Sequence, residues 1–216
     1  MMFVRLSIPT AVFGAVLFLF AGRVDLWAFW AYLGLLLGSF SATFTALARW
    51  SPGLLAERIK PPSDRDRATQ RLVALPFFAH LALAGLDARF GWTVVPLPVQ
   101  VLGFVAVASG FGLVAWTLLT NPFASSAVRL QPDREQRVIT TGPYALVRHP
   151  MYLAVVFVSL GAGVALGSWL SGLPLLLVIA VFVRRTLLED ALLRAELRGY
   201  ADYAARVRWR VIPHLF

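Results

Sequence analysis

The sequence predicts an all-α fold, a polytopic membrane bundle of about six transmembrane helices, and three observations carry that prediction. Hydrophobic residues make up 59% of the 216-residue chain and charged residues only 14%, against roughly 25% charge in soluble domains. Apolar runs recur at lengths near the ~20 residues that cross a bilayer core. Of the 20 Lys and Arg, all but Arg23 and Arg89 fall in alternate polar connections, the distribution that membrane orientation produces.

Each element follows in order. The run Ile8–Gly22 has the length of a secretory leader and is preceded by the single cation Arg5. A second run begins at once near Leu26, so the first reads as a retained helix in a tight hairpin. Leu26–Ala48, Leu72–Ala88 and Pro96–Thr120 supply three more spans. After the polar stretch Asn121–His149 come two shorter runs, Met151–Leu166 and Trp169–Val183, joined by Gly167-Ser168. At ~1.5 Å per residue each barely reaches across ~30 Å, which predicts a short, closely packed helical hairpin. The remainder, Arg184–Phe216, reads as a polar tail. Residues 1–120 are thus expected to form a four-helix region, and residues 121–216 a binding and catalytic region of the same membrane domain. Six spans put both termini, Ser51–Arg71, Asn121–His149 and the tail on one face, and the retained positive charge makes that face cytoplasmic.

The formal charge of +9 is explained by this topology, so no nucleic-acid partner is expected. Absence of cysteine removes disulfides, thiolate metal sites and Cys nucleophiles, and no metal site is expected. Gly34-x-x-x-Gly38 and Gly163-x-x-x-Gly167 read as close helix-packing positions. Gly161-x-Gly163 lacks the strand a dinucleotide loop needs. His80 and Asp87 lie within or near a span; an ionisable group there is a functional candidate, though a hydrogen-bonded helix contact is the simpler reading. His214 has no partner in sequence.

The informative segment is Gly142-Pro143-Tyr144-Ala145-Leu146-Val147-Arg148-His149-Pro150-Met151-Tyr152. Pro150 suits the first position of a helix, and it biases His149 toward extended backbone. Arg148 and His149 therefore sit at a helix N-terminus, where unpaired N–H groups and the dipole favour an anionic group. Interfacial anchoring by the same Arg and Tyr is the competing reading. A second cluster, Arg184-Arg185-Thr186-Leu187-Leu188-Glu189-Asp190, returns two carboxylates to the same face. Its i,i+4 charge pairs and the basic, aromatic tail can equally be plain helix and lipid-surface features.

Gly142-Pro143-Tyr144, Arg148-His149-Pro150-Met151-Tyr152, Glu189-Asp190 and Gly199-Tyr200-x-x-Tyr203, together with Asn121-Pro122-Phe123, resemble the C-terminal half of the isoprenylcysteine carboxyl methyltransferase and phospholipid methyltransferase superfamily. The likeness covers roughly Asn121–Pro213; Asp190 stands where that family usually has a second glutamate. It implies an integral-membrane methyltransferase whose cofactor, S-adenosylmethionine, binds on the cytoplasmic side. His149, Glu189 and Arg148 are the catalytic residues it implies, and Tyr144, Arg148, His149, Pro150, Tyr152, Glu189 and Asp190 the cofactor-binding ones. Arg148, His149 and the helix N-terminus suit the cofactor's carboxylate, Glu189 and Asp190 its ammonium or ribose hydroxyls, and Tyr144 and Tyr152 its adenine or sulfonium. The partners expected are membrane lipids and a lipophilic or small methyl acceptor: an isoprenylcysteine-type carboxylate, a thiol or an amine. No obligate protein partner is implied. Two other readings compete. Membrane sterol reductases using NADPH have a similar Arg-His-Pro-x-Tyr segment, but here Leu153, Ala154 and Val155 replace the acid expected after it. A non-catalytic membrane protein is the other.

Overall fold

The computed structural model describes residues 2–60, 64–125 and 129–216, with side chains from 7–60, 67–125 and 129–216. Parts of the connections expected over 51–71 and 121–149, and the side chains of Arg5 and Arg65, lie outside the described residues. Among these residues the secondary structure is helical throughout: α1 Met2–Ala21, α2 Trp27–Trp50, α3 Pro52–Arg58, α4 Asp64–Phe90, α5 Leu97–Thr120, α6 Pro150–Ala165, α7 Leu173–Glu196 and α8 Tyr200–Arg206. Single 3-10 turns occur at Pro132–Arg134, Gly142–Ala145 and Leu170–Gly172. The predicted all-α membrane bundle is present. Four helices are long and apolar enough to cross a bilayer, and α1 and α6 supply two shorter apolar helices.

Two boundaries differ from expectation for one reason. Apolar runs mark where a helix meets lipid, and a helix continues past that point when its polar residues still favour the conformation. Thus α4 begins about two turns before Leu72, through Arg67-Ala68-Thr69-Gln70-Arg71, which contains neither Pro nor Gly. Likewise α7 runs thirteen residues beyond Val183, to Glu196, with Asp190 and Arg194 paired at 3.0 Å across one turn. Its 24 residues span ~36 Å, so within this pair it is α6, at 16 residues, that is short. The connection after Trp50 holds the turn α3, started by Pro52 at its first position. The tail holds α8.

Helix α1 packs against α2 and α4, α4 against α7 and the Leu170–Gly172 turn, and α5 along α6. The central core joins Leu17, Phe29, Tyr32, Leu36, Leu81, Val107, Leu175 and Val178. Leu75, Leu102, Val105 and Leu177 point outward and remain exposed, as lipid-facing side chains do. Small residues set the α5–α6 contact. A Cβ on Gly103 would stand 2.6 Å from Ala165 N, and one on Gly161 would stand 2.7 Å from Gly103 O, so the two backbones touch. Gly163 packs similarly on Gly172. The expected packing at Gly34 and Gly38 is not found: both face open space. Their helix is turned by the larger buried residues Phe29, Tyr32, Leu33 and Leu36, which set the contact face.

At the end of the bundle away from α3 and α8, Asp87 is buried and accepts hydrogen bonds from Thr93 N (2.7 Å), Thr93 Oγ1 and Ser168 Oγ (2.5 Å). It ties the α4–α5 connection to the turn after α6. His80 Nδ1 donates to Ser171 O at 2.8 Å. Both groups therefore have structural partners in the helix-packing reading, far along the bundle from Arg148. His214 rests against Trp209, ring centroids 5.1 Å apart.

Candidate functional site

The site forms where α6 begins. His149 precedes the helix with φ −126° and ψ 65°, and Pro150 takes the first helical position, as the sequence predicts. The helix then opens with Tyr152 N and Leu153 N both bonded to His149 O, at 3.0 and 3.3 Å. Met151 N–H, one position earlier, has no intrahelical acceptor within reach. The tail holds this start in place: Arg148 N donates to Trp209 O at 3.0 Å and His149 N to Arg210 O at 2.8 Å. The aromatic pair Tyr200 and Tyr203 of α8 supports it from the side, with Tyr203 Oη donating to Tyr144 O at 2.8 Å.

The adjacent carboxylates of α7 have different surroundings. Asp190 is enclosed. It accepts Arg148 Nε at 2.8 Å and Arg148 Nη2 at 3.1 Å, a two-pronged pair, and also Tyr200 Oη at 2.9 Å, Arg194 Nε at 3.0 Å and Arg210 Nε at 3.3 Å. Arg148 Nη1 donates to the carbonyls of Val207 and Arg208 at 2.9 and 2.8 Å. Side chains of Arg148 and Asp190 are 2% and 3% exposed, so this pair is a buried clamp joining α6, α7 and the tail. Burial, followed by the charge of Asp190, raises the Tyr200 hydroxyl above its ordinary range.

Glu189 faces a cleft instead. Tyr152 Oη donates a short hydrogen bond to Glu189 Oε2 and accepts one from Arg185 Nε at 3.0 Å. The Tyr152 ring stacks on His149, with centroids 5.6 Å apart and planes 5° from parallel. His149 Nε2 lies 3.5 Å from Asp190 Oδ1, ion-pair range but long for a hydrogen bond, and is otherwise buried without a hydrogen-bond partner. Tyr144 closes the next wall. Asn121 Nδ2 donates to its hydroxyl at 2.8 Å, leaving the Tyr144 proton available to a further acceptor. Burial, with the nearby Glu189 charge, raises that hydroxyl above the ordinary range against the Asn121 hydrogen bond.

The cleft holds a cavity of about 110 Å³ that opens to solvent. Of the residues expected from sequence, Tyr144, Arg148, His149, Pro150, Tyr152 and Glu189 line it. Asp190 is not part of the lining; it stands behind Arg148 and His149. Leu192, Leu193 and Leu197 give the cleft an apolar flank, and Arg129 and Arg137 lie at its other side.

One supporting element had no signal in the sequence. Helix α3 grips the loop that forms the cleft wall: Glu57, 7% exposed, binds Lys60 and Arg129, Arg58 Nη1 donates to Ala124 O at 2.8 Å, and Leu54 packs with Leu118, Ala124 and Met151. Hydrogen bonds from Lys60 and then Arg129 hold the Glu57 carboxyl at about 2, well below its ordinary value. Glu57 and Arg129 are 72 residues apart, beyond any local spacing rule. Among the described residues no group of three or more acidic or histidine side chains is placed to hold a metal ion.

No curated protein matches the chain. Residues 99–198, which contain most of α5, the cleft loop, α6 and α7 and both carboxylates, match the phospholipid methyltransferase family.

Proposed function

We propose that the protein is an S-adenosylmethionine-dependent methyltransferase, and that the cleft at the start of α6 holds the cofactor on the cytoplasmic side of the membrane. The observation that carries this reading is convergence. Tyr144, His149, Pro150, Tyr152 and Glu189, from three separate segments inside the family match, line one cleft. The donor set also fits the group chemically. The Met151 N–H, which has no intrahelical acceptor, and the buried His149 Nε2, without a hydrogen-bond partner among the described residues, suit a carboxylate. The Glu189 carboxylate suits an ammonium group or ribose hydroxyls, and the Tyr144 and Tyr152 rings offer faces to an adenine or a cation. Arg148 and Asp190 are positioning residues in this reading. Their charges are spent on each other, so they fix His149 and the tail rather than the cofactor.

The cofactor supplies an electrophilic methyl group. The chain's own work is then to bind, align and keep water out. The apolar flank of Leu192, Leu193 and Leu197 suits a hydrophobic portion of the acceptor. A carboxylate or thiolate acceptor is already nucleophilic; an amine must first lose a proton, and Glu189 is the base within the cleft for that step. Calorimetric titration of S-adenosylhomocysteine into the detergent-purified protein, with NADPH titrated in parallel, tests the proposal. Saturable binding of the homocysteine compound alone supports it, and binding of NADPH alone, or of neither, refutes it.

A further inference from the structure

Tyr144 is held at both ends. Its carbonyl accepts Tyr203 Oη and its hydroxyl accepts Asn121 Nδ2, each at 2.8 Å. The turn that carries it, Gly142–Ala145, is seated on the end of α5 by Gly142, whose φ is +58° and where a Cβ would stand 2.9 Å from Thr120 Oγ1. Only glycine accepts both that backbone angle and that contact without strain. Gly142-Pro143-Tyr144 thus delivers the tyrosine to Asn121, the residue just after α5.

Chemistry fixes the direction of each bond in this pair. Phe123 N–H can only donate, so the Asn121 atom 2.8 Å from it is the amide oxygen. The other end of the amide is therefore the NH2 group, which can only donate, and the Tyr144 oxygen must accept. A phenol that accepts still has its one proton to give, and among the described residues no acceptor takes it. Asn121 and Tyr144 both line the cleft. The hydroxyl end of the side chain also lies toward the start of α6. Ala124, in the segment after Asn121, packs in one cluster with Met151, whereas Leu193 and Leu197 of the apolar flank belong to the cluster around Tyr200 and Tyr203. We infer that Asn121 is a positioning residue: its amide keeps the Tyr144 hydroxyl in use as a hydrogen-bond donor to the bound cofactor, toward an adenine nitrogen or a ribose oxygen. The inference rests on the methyltransferase reading for the identity of that ligand.

The test is calorimetric titration of S-adenosylhomocysteine into the detergent-purified protein and a cycle of two substitutions. Tyr144→Phe keeps the ring and loses the donor, and is expected to bind about fivefold more weakly, the worth of one neutral hydrogen bond. Asn121→Asp keeps an acceptor for Phe123 N–H but offers the phenol an oxygen in place of the NH2 group, so the Tyr144 proton turns from the cleft to the new carboxylate. It is expected to cost as much as Tyr144→Phe when made alone, and less than about twofold when made together with Tyr144→Phe, where there is no proton to turn. A purely structural role for Asn121 would instead give the same loss with and without the Tyr144 hydroxyl, and that result overturns the inference. Each single variant tests the donor by itself, so if one fails to fold the other decides. Failure of S-adenosylhomocysteine to bind the unaltered protein overturns the methyltransferase reading and this inference with it; binding by the unaltered protein with normal affinity in a folded single variant overturns the inference alone.

Discussion

Asp190→Ala separates the two carboxylates of α7 by their physical roles. In the native protein Asp190 accepts two bonds from Arg148, whose side chain is 2% exposed. The substitution leaves that guanidinium buried, retaining two carbonyl partners but no counter-charge. Removing one partner of a buried ion pair costs about 3–5 kcal/mol. Arg194 and Arg210 add little, because their side chains are 42% and 36% exposed and can turn to water at a cost of about 0–1 kcal/mol each. With roughly 2–4 °C of melting temperature per kcal/mol for a chain of this length, Asp190→Ala is expected to melt at least about 6 °C lower in detergent. Glu189→Ala, one residue away, removes only the acceptor of the Tyr152 hydroxyl at the cleft, a hydrogen bond worth about 1 kcal/mol, and is expected to melt only about 2–4 °C lower. Circular dichroism at 222 nm during a thermal ramp reads both. Equal shifts in the two variants would show that the buried clamp around Asp190 does not exist as described.

Other outcomes follow from the same geometry. His149→Ala and Glu189→Ala are each expected to weaken S-adenosylhomocysteine binding at least about tenfold, the loss of one charge-assisted contact, with unchanged membrane insertion by alkaline extraction; normal affinity in both refutes the site. Gly161→Ala is expected to cost about 1–3 kcal/mol, because its Cβ would meet the backbone oxygen of Gly103 at 2.7 Å. Gly34→Ala, which meets nothing, should be neutral or slightly stabilising, so paired melting curves check the α5–α6 contact. Glu57 titrates lower folded than unfolded, at about 2, so its contribution to stability is full above its ordinary carboxyl range and is lost as pH falls through about 2. The melting-temperature gap between the unaltered protein and Glu57→Gln should therefore be constant at neutral pH and shrink below about pH 4.5; a gap independent of pH over that window removes the Glu57 latch.

Much of the fold was legible because lipid contact is written locally. Every apolar run corresponds to a helix, and the start of α6 was readable from His149-Pro150 alone, since proline's missing N–H makes that position almost self-declaring. The helix ends at Asp64 and Glu196 were not, because hydropathy stops reporting once a helix leaves lipid. The acidic pair exposes a different limit. Neighbours on a helix point about 100° apart, so adjacent Glu189 and Asp190 meet different surroundings, and the sequence does not say which of them faces the cleft. Burial of Arg148 decided it. Gly34 and Gly38 have the spacing of a packing motif without a packed neighbour, since the orientation of α2 follows its larger residues. The contribution of α3 arises from pairs such as Glu57 and Arg129, whose separation in sequence leaves no periodic trace.

The central claim is that the cleft at the start of α6 presents a methyl donor to an acceptor at the membrane surface. The most direct measurement is transfer of tritium from methyl-labelled S-adenosylmethionine by the protein in native membrane-derived vesicles, followed by extraction into organic solvent. Label in the organic phase with the unaltered and Gly34→Ala proteins, and its loss with folded Glu189→Gln, is the result predicted. Label absent with the unaltered protein, or undiminished by Glu189→Gln, would contradict the account.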